Sequence, residues 1–156
     1  MIKTIISDFS KVLLFLNDNS KSGKLNELHQ ELLEKGSYDF WEYFTLNDEL
    51  LNYYKSLSPN VGIYIFTSEF IQEHPPVKEK LDPIFKGVYS AARLGVSKID
   101  PEAYKVLIQK IGINPNEAIF VDDTVENIEA AKIAGLKTVL FKDTARAIIE
   151  IAQLLD

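Results

Sequence analysis

Short runs of β-branched and apolar residues alternate with helix-length amphipathic stretches along this 156-residue chain. That alternation constrains the fold more than any other feature, because strand–helix repetition argues for a parallel sheet with helices on both faces. The first run, with Ile2, Ile5 and Ile6, stops at a single carboxylate, Asp8. The second is VGIYIF, residues 61–66, ending at Thr67-Ser68, and a short third covers Gly87–Ser90. The fourth, AIFV at 118–121, runs into Asp122-Asp123, and the fifth is Lys137–Phe141. Continuous apolar runs of this length suit strands covered on both faces. Open α/β sheets hold their ligands at the carboxyl ends of such strands. On its own Asp8 is equally explained as the opening of a turn, so the other strand ends decide its meaning.

Between these runs the helix signals are local. Val12–Leu16 reads as a strand that turns sharply after Asp8 and continues as a flap. Asn17–Gly23 is a polar surface connection. Leu25, Leu28 and Leu32 recur at helical spacing up to Gly36. The rings of Tyr38, Phe40, Trp41, Tyr43 and Phe44 pack a small insertion onto the main body, or form a substrate-facing or dimerising surface. Thr45 and Asp48 have capping-box spacing ahead of a helix through Leu50, Leu51 and Tyr54. A helix is expected to start at Thr67-Ser68 and break at His74-Pro75-Pro76, with another running to about Leu81. Asp100-Pro101 opens a helix whose stripe is Ala103, Val106, Leu107 and Ile111. Val125, Ile128 and Ala131 are expected inward on the next helix. Asp143 caps the last one, which carries Ile148, Ile151, Ala152 and Leu155 on one face.

Composition removes several function classes. The chain has no cysteine, which excludes disulfides, thiol nucleophiles and cysteine metal sites. A net charge of −6 argues against nucleic acid and anionic membrane partners. No apolar run approaches membrane-spanning length, and the N-terminus reaches Asp8 too soon for a secretory leader, so a cytoplasmic location is expected. Neither a G-x-G-x-x-G nor a P-loop is present.

Collected together, the strand ends give Asp8, Thr67, Ser68, Asp122 and Asp123, and Lys98 lies just before a helix start, within reach of the same crevice. Clustered carboxylates repel unless a cation neutralises them, and oxygen ligands without histidine or cysteine suit Mg²⁺. Thr67 and Lys98 are then donors for phosphate oxygens. A carboxylate beside Mg²⁺ can attack phosphorus to form an aspartyl phosphate. Ordinary helix capping is the plain alternative for Asp122, Thr124 and Asn127.

The order Asp8, Thr67, Lys98, Asp122-Asp123 resembles the four motifs of the haloacid dehalogenase (HAD) superfamily. The likeness is strongest over residues 94–141, LGVSKIDPEAYKVLIQKIGINPNEAIFVDDTVENIEAAKIAGLKTVLF, and extends over roughly 1–16 and 46–156. It implies a Rossmann-like α/β domain over 1–156, with about five parallel strands and a reduced helical cap at 17–45. It implies Asp8 as nucleophile and metal ligand, Thr67 and Ser68 at the phosphoryl group, and Lys98 stabilising its charge. Asp123 would bind Mg²⁺ directly, Asp122 mainly through water, and Asn127 would support them. Receiver domains use a similar kit, but their paired acids follow the first strand rather than the fourth.

The motif departs from Asp-x-Asp-Gly at one chemically important place. It reads Asp8-Phe9-Ser10-Lys11, and serine cannot act as the general acid–base that the second aspartate supplies; its backbone carbonyl can still serve Mg²⁺. The expectation is a slow phosphatase of a phosphorylated substrate, favouring good leaving groups. The rivals are a phosphate- and Mg²⁺-binding protein without catalysis and a dehalogenase-type hydrolase, the latter disfavoured by the Asp122-Asp123 pair. A phosphonatase would need an insertion lysine, and Lys21, Lys24 and Lys35 all read as solvated surface. A cap of two helices excludes water poorly. It suits a large substrate, a homodimer through the cap aromatics, or weak activity.

Overall fold

The computed structural model describes residues 1–18 and 23–156. Five parallel strands form the centre: β1 (Thr4–Ser7), β4 (Gly62–Thr67), β5 (Gly87–Ser90), β6 (Ala118–Asp122) and β7 (Lys137–Leu140), in the order β5-β4-β1-β6-β7. The chain leaves β1, fills one side with β4 and β5, then crosses to fill the other with β6 and β7. The reversal happens beside β1, and a crevice opens at the carboxyl ends of strands at such a point.

Side chains on a strand alternate between faces, and the two faces carry separate cores. Ile5, Ile63, Ile65, Ile119 and Val121 lie in one, under α2 (Asp48–Leu57) and α7 (Thr144–Leu155). Ile6, Phe66 and Phe120 lie in the other, under α5 (Pro101–Ile111) and α6 (Val125–Ile133). Burial on both faces explains why these strands are continuous apolar runs rather than alternating ones.

The flap after β1 is a two-stranded antiparallel ribbon of β2 (Leu14–Leu16) and β3 (Phe44–Leu46). Between them lie α1 (Leu25–Glu34) and a 3-10 turn at Phe40–Glu42, one helix and a single turn where two helices are expected. Phe40 and Phe44 stack with ring centres 4.5 Å apart and are buried, so these two rings pack the insertion onto the body. His29 is buried among them, its Nδ1 2.5 Å from the Tyr38 hydroxyl and its ring 4.7 Å from that of His74.

Several local expectations shift. Asn47, not Thr45, caps α2, its Oδ1 accepting from the Leu50 N–H at 3.2 Å; Thr45 is paired within β3. No α-helix starts at Thr67-Ser68, where the chain bends into a 3-10 turn at Ile71–Glu73 before α3 (Pro75–Leu81). On α5 the buried set is Ala103, Tyr104, Leu107 and Ile108, a face rotated from Val106 and Ile111. Val125 is 54% exposed, because it lies off the face of α6 that Asn127, Ile128, Ala130 and Ala131 bury. Among the described residues no helix is long and apolar enough to cross a membrane.

Candidate functional site

The register of the sheet brings the strand-end chemistry to one level. Ser7 aligns with Ile65 on one side and Val121 on the other, so the next residue, Asp8, stands beside Phe66 and Asp122. The Asp8 N–H donates to the Val121 carbonyl at 2.8 Å, which continues the β1–β6 ladder to the carboxyl edge of the sheet. Its carboxylate Oδ1 accepts from the Phe9 N–H at 2.8 Å and from Lys98 Nζ at 2.9 Å. A buried relay also holds the Asp8 backbone: Tyr54 donates to Ser7 Oγ at 3.1 Å, and Ser7 Oγ donates to the Asp8 carbonyl at 2.9 Å.

Lys98 is 5% exposed and bridges two carboxylates, Asp8 at 2.9 Å and Asp122 at 2.7 Å. Its backbone carbonyl accepts from the Tyr104 hydroxyl at 2.7 Å, and its ammonium lies 5.7 and 5.5 Å from the rings of Phe66 and Phe120. Asp122 is fully buried and heavily committed. Besides Lys98 it accepts from the Thr124 N–H at 2.8 Å and from Asn127 Nδ2 at 3.3 and 3.2 Å. Asp122 thus fixes the turn into α6, whose N-cap Thr124 makes no side-chain cap, and holds Lys98 with the same carboxylate; Asn127 reaches it from the first turn of α6.

Asp123 is half-buried and faces a cavity of about 280 Å³ that Asp8, Ser10, Thr67, Ser68 and Lys98 also line. Thr67 is 3% exposed, and its hydroxyl makes no hydrogen bond among the described residues. Every residue that the sequence nominates thus reaches this cavity or, in Asp122, the Lys98 bridge directly beneath it. Six further residues line it that sequence reasoning did not nominate for the site: Lys11, Lys24, Leu25, Asn26, Glu69 and Thr124. Lys24 is solvated as expected, yet it stands at the cavity mouth; Lys21 lies outside the described residues. The insertion therefore supplies one wall of the cavity, more cover than its length suggests.

The electrostatics follow from burial and crowding. Burial pushes the Asp8 carboxyl up to about 7, with the Lys98 ammonium opposing and the Asp122 charge adding to the rise. Asp123 is raised by burial and then by Asp122. Burial alone would lower Lys98, but the Asp8 and Asp122 carboxylates outweigh it and hold the ammonium above its ordinary value. Oxygens of Asp8, Asp122 and Asp123 all lie within 4.8 Å of one another. Three carboxylates against one ammonium leave a formal excess of two negative charges, which a divalent cation offsets. The all-oxygen donor set suits a hard divalent cation, Mg²⁺ among them.

The haloacid dehalogenase-like hydrolase family matches residues 34–135. Among curated relatives, the bifunctional epoxide hydrolase 2 of Sus scrofa is 32% identical over 72 residues, 46% of this chain and 13% of that protein. The sesquiterpene phosphatase astK of Aspergillus oryzae is 34% identical over 71 residues, 46% of this chain and 36% of that one. The enolase-phosphatase E1 of Lachancea thermotolerans is 26% identical over 125 residues, 74% of this chain and 56% of that one. The matches thus span well under two thirds of these relatives' lengths. Among solved structures, a predicted HAD-like family hydrolase from Porphyromonas gingivalis superposes with a TM-score of 0.73 at 20% identity, covering 99% of this chain and 98% of that one. A HAD family enzyme from Bacteroides thetaiotaomicron, solved in complex with magnesium and inorganic phosphate, superposes with a TM-score of 0.67 at 19% identity, covering 91% and 95%. With residues 34–135 matched and the parallel core shared almost end to end, the chain belongs to the haloacid dehalogenase-like hydrolase family.

Proposed function

We propose that this chain is a Mg²⁺-dependent phosphatase working through a covalent phosphate on Asp8, slowed by serine at position 10. The observation that carries this reading is the Asp8–Lys98–Asp122 bridge, set beside Asp123 and the unpartnered hydroxyl of Thr67. Family relatives named as phosphatases support it.

Asp8, Asp123 and the Ser10 carbonyl would hold the ion, with Asp122 acting mainly through water. When bound, the cation neutralises charge on the transferring phosphoryl oxygens. The protein's own groups do the rest. Two hydrogen bonds to Oδ1 fix the plane of the Asp8 carboxylate before substrate arrives, so the nucleophile is preorganised. Its attack forms an O–P bond and expels the leaving oxygen with the bonding pair. Thr67 and Lys98 donate to the phosphoryl oxygens, with Ser68 beside them. Asn127 acts one step away, fixing Asp122 and through it Lys98. Water then cleaves the acyl phosphate and restores Asp8.

Ser10 lines the cavity where a proton donor to the leaving group is needed, and a hydroxyl has no suitable acidity. Its lack of acid–base capacity costs about 10²–10⁴-fold on leaving groups that need a proton. Aryl and acyl phosphates escape most of that loss. The same serine favours a second reading, a phosphate- and Mg²⁺-binding protein without turnover.

A panel of phosphate esters assayed with Mg²⁺, comparing wild type, Ser10→Asp and Asp8→Asn, separates the two. Ser10→Asp is expected to gain at least roughly tenfold on alkyl phosphates, just below the usual acid–base range, and Asp8→Asn to lose all turnover. No Asp8-dependent turnover in either wild type or Ser10→Asp overturns the phosphatase reading and leaves the binding protein.

A further inference from the structure

We infer that the mouth of this cavity is a second anion subsite, and that the substrate is a small phosphate ester carrying another carboxylate or phosphate on its leaving group. The inference rests on the phosphatase reading above and assigns its substrate class. The deep end of the cavity already takes one phosphoryl group, on Thr67, a nearly buried hydroxyl that makes no hydrogen bond among the described residues, and on Lys98. At the mouth stand two exposed ammonium groups, Lys11 and Lys24, neither with a carboxylate partner among the described residues.

Two further donors face the same space. Asn26 accepts the Phe70 N–H at 3.3 Å through Oδ1, which turns its amide Nδ2 away from that bond and leaves its two hydrogens unspent. The first turn of α1, at Leu25 and Asn26, also lines the cavity, and its N-cap Lys24 makes no side-chain cap, so those N–H groups are not occupied by a cap. Against these donors the mouth holds, among the described residues, one acid, the exposed Glu69. The wall is therefore rich in donors and net positive, in a chain whose overall charge is −6.

Charge accounting gives the same answer. Asp8, Asp122 and Asp123 against Lys98 and a divalent cation sum to zero at the deep end, so the mouth cations are not needed to balance the protein's own acids. They are free for the ligand. At about 280 Å³ the cavity lies just below the usual range for small-molecule sites. The second anion must accordingly sit only a few bonds from the phosphate.

The test uses three aryl phosphates, whose leaving groups spare the enzyme the proton that Ser10 cannot give: phenyl phosphate, 4-carboxyphenyl phosphate and 1,4-phenylene bisphosphate. Calorimetric binding with Mg²⁺ on Asp8→Asn, which does not depend on turnover, is expected to be about tenfold tighter for the two doubly anionic compounds. Adding Lys24→Ala or Lys11→Ala to that background should shrink the preference at least threefold, and so should raised ionic strength. A carboxylate-only or bisphosphate-only preference tells which anion the mouth takes, and either supports the subsite. Equal binding of all three compounds, unchanged by either lysine variant, overturns it. Turnover of phenyl phosphate by the wild type at the same time would leave the phosphatase reading standing, so the two failures are distinguishable.

Discussion

Lys11 is the residue at which conformation and chemistry conflict most openly, and replacing it with glycine should make the protein more stable. Among the described residues it is the one non-glycine with a positive φ, 65°. The turn that carries the chain from Asp8 to β2 imposes this: Phe9 O accepts from Val12, Leu13 and Leu14 N–H groups, and the Lys11 N–H donates to Leu14 O at 2.8 Å. An L-residue held left-handed there costs about 1–2 kcal/mol. Glycine removes that cost but adds back about 0.5–1 kcal/mol of unfolded-chain entropy. The side chain is exposed and makes no ion pair among the described residues, so nothing else is lost. The net expectation is a gain of about 0.5–1 kcal/mol, a Tm rise of about 1–4 °C for a chain of this size. Lys11→Ala keeps the Cβ and should change stability by less than about 0.5 kcal/mol. Urea denaturation of the three proteins in one buffer, with m-values compared, reads the difference. Stability of Lys11→Gly at or below that of Lys11→Ala would refute the strain. The stabilised variant should also discriminate less between singly and doubly anionic substrates, the usual cost of relieving strain beside a site.

Two further outcomes follow from buried hydroxyl and imidazole groups. Tyr104→Phe keeps the ring contacts with Phe66 and Phe120 but leaves the Lys98 carbonyl unpaired. It should cost about 1–2 kcal/mol of stability. It should also lower kcat several-fold with KM little changed, since Tyr104 positions Lys98 rather than touching substrate; a stability loss with kcat intact would make its role purely structural. His29 is held at about 4 by burial and then by His74. Below the unfolded value near 6.5 the unfolded chain takes up a proton that the folded one refuses, so this contribution is complete above pH 6.5 and is lost as pH falls through 4. Wild type should therefore lose up to about 3 kcal/mol relative to His29→Phe across that window. Taking the difference cancels the opposite slope of Asp8, whose raised value favours the folded state as pH falls. A pH-independent difference would contradict the assignment.

The sheet and the strand-end residues were legible because both follow from short-range pattern. A β-branched run closed by Asp8, and the AIFV run closed by Asp122-Asp123, each announce a buried strand and its polar end without reference to any neighbour. Lys11 was legible as a departure from the family motif, but its left-handed backbone was not. Lys24 and Asn26 carry no local signal, because which side of the cavity α1 faces is set by how Phe40 and Phe44 seat the insertion. The same limit explains Val125, which stands three residues before Ile128 yet lies off the face of α6 that packing on the sheet selects. Tyr104 did leave a trace, a hydroxyl on a buried helix face that must find a partner. Which partner it finds, the Lys98 carbonyl, is a tertiary fact. Asn47 displaced Thr45 as the cap because β3 claimed Thr45 first.

On the proposed mechanism Asp8 takes phosphate covalently and Ser10 leaves it there. Intact-mass spectrometry of the protein incubated with acetyl phosphate and Mg²⁺ tests it most directly. A single phosphoryl adduct that persists in wild type, is absent from Asp8→Asn and turns over quickly in Ser10→Asp is the predicted result. Wild-type protein that binds Mg²⁺ yet never acquires the adduct would contradict it.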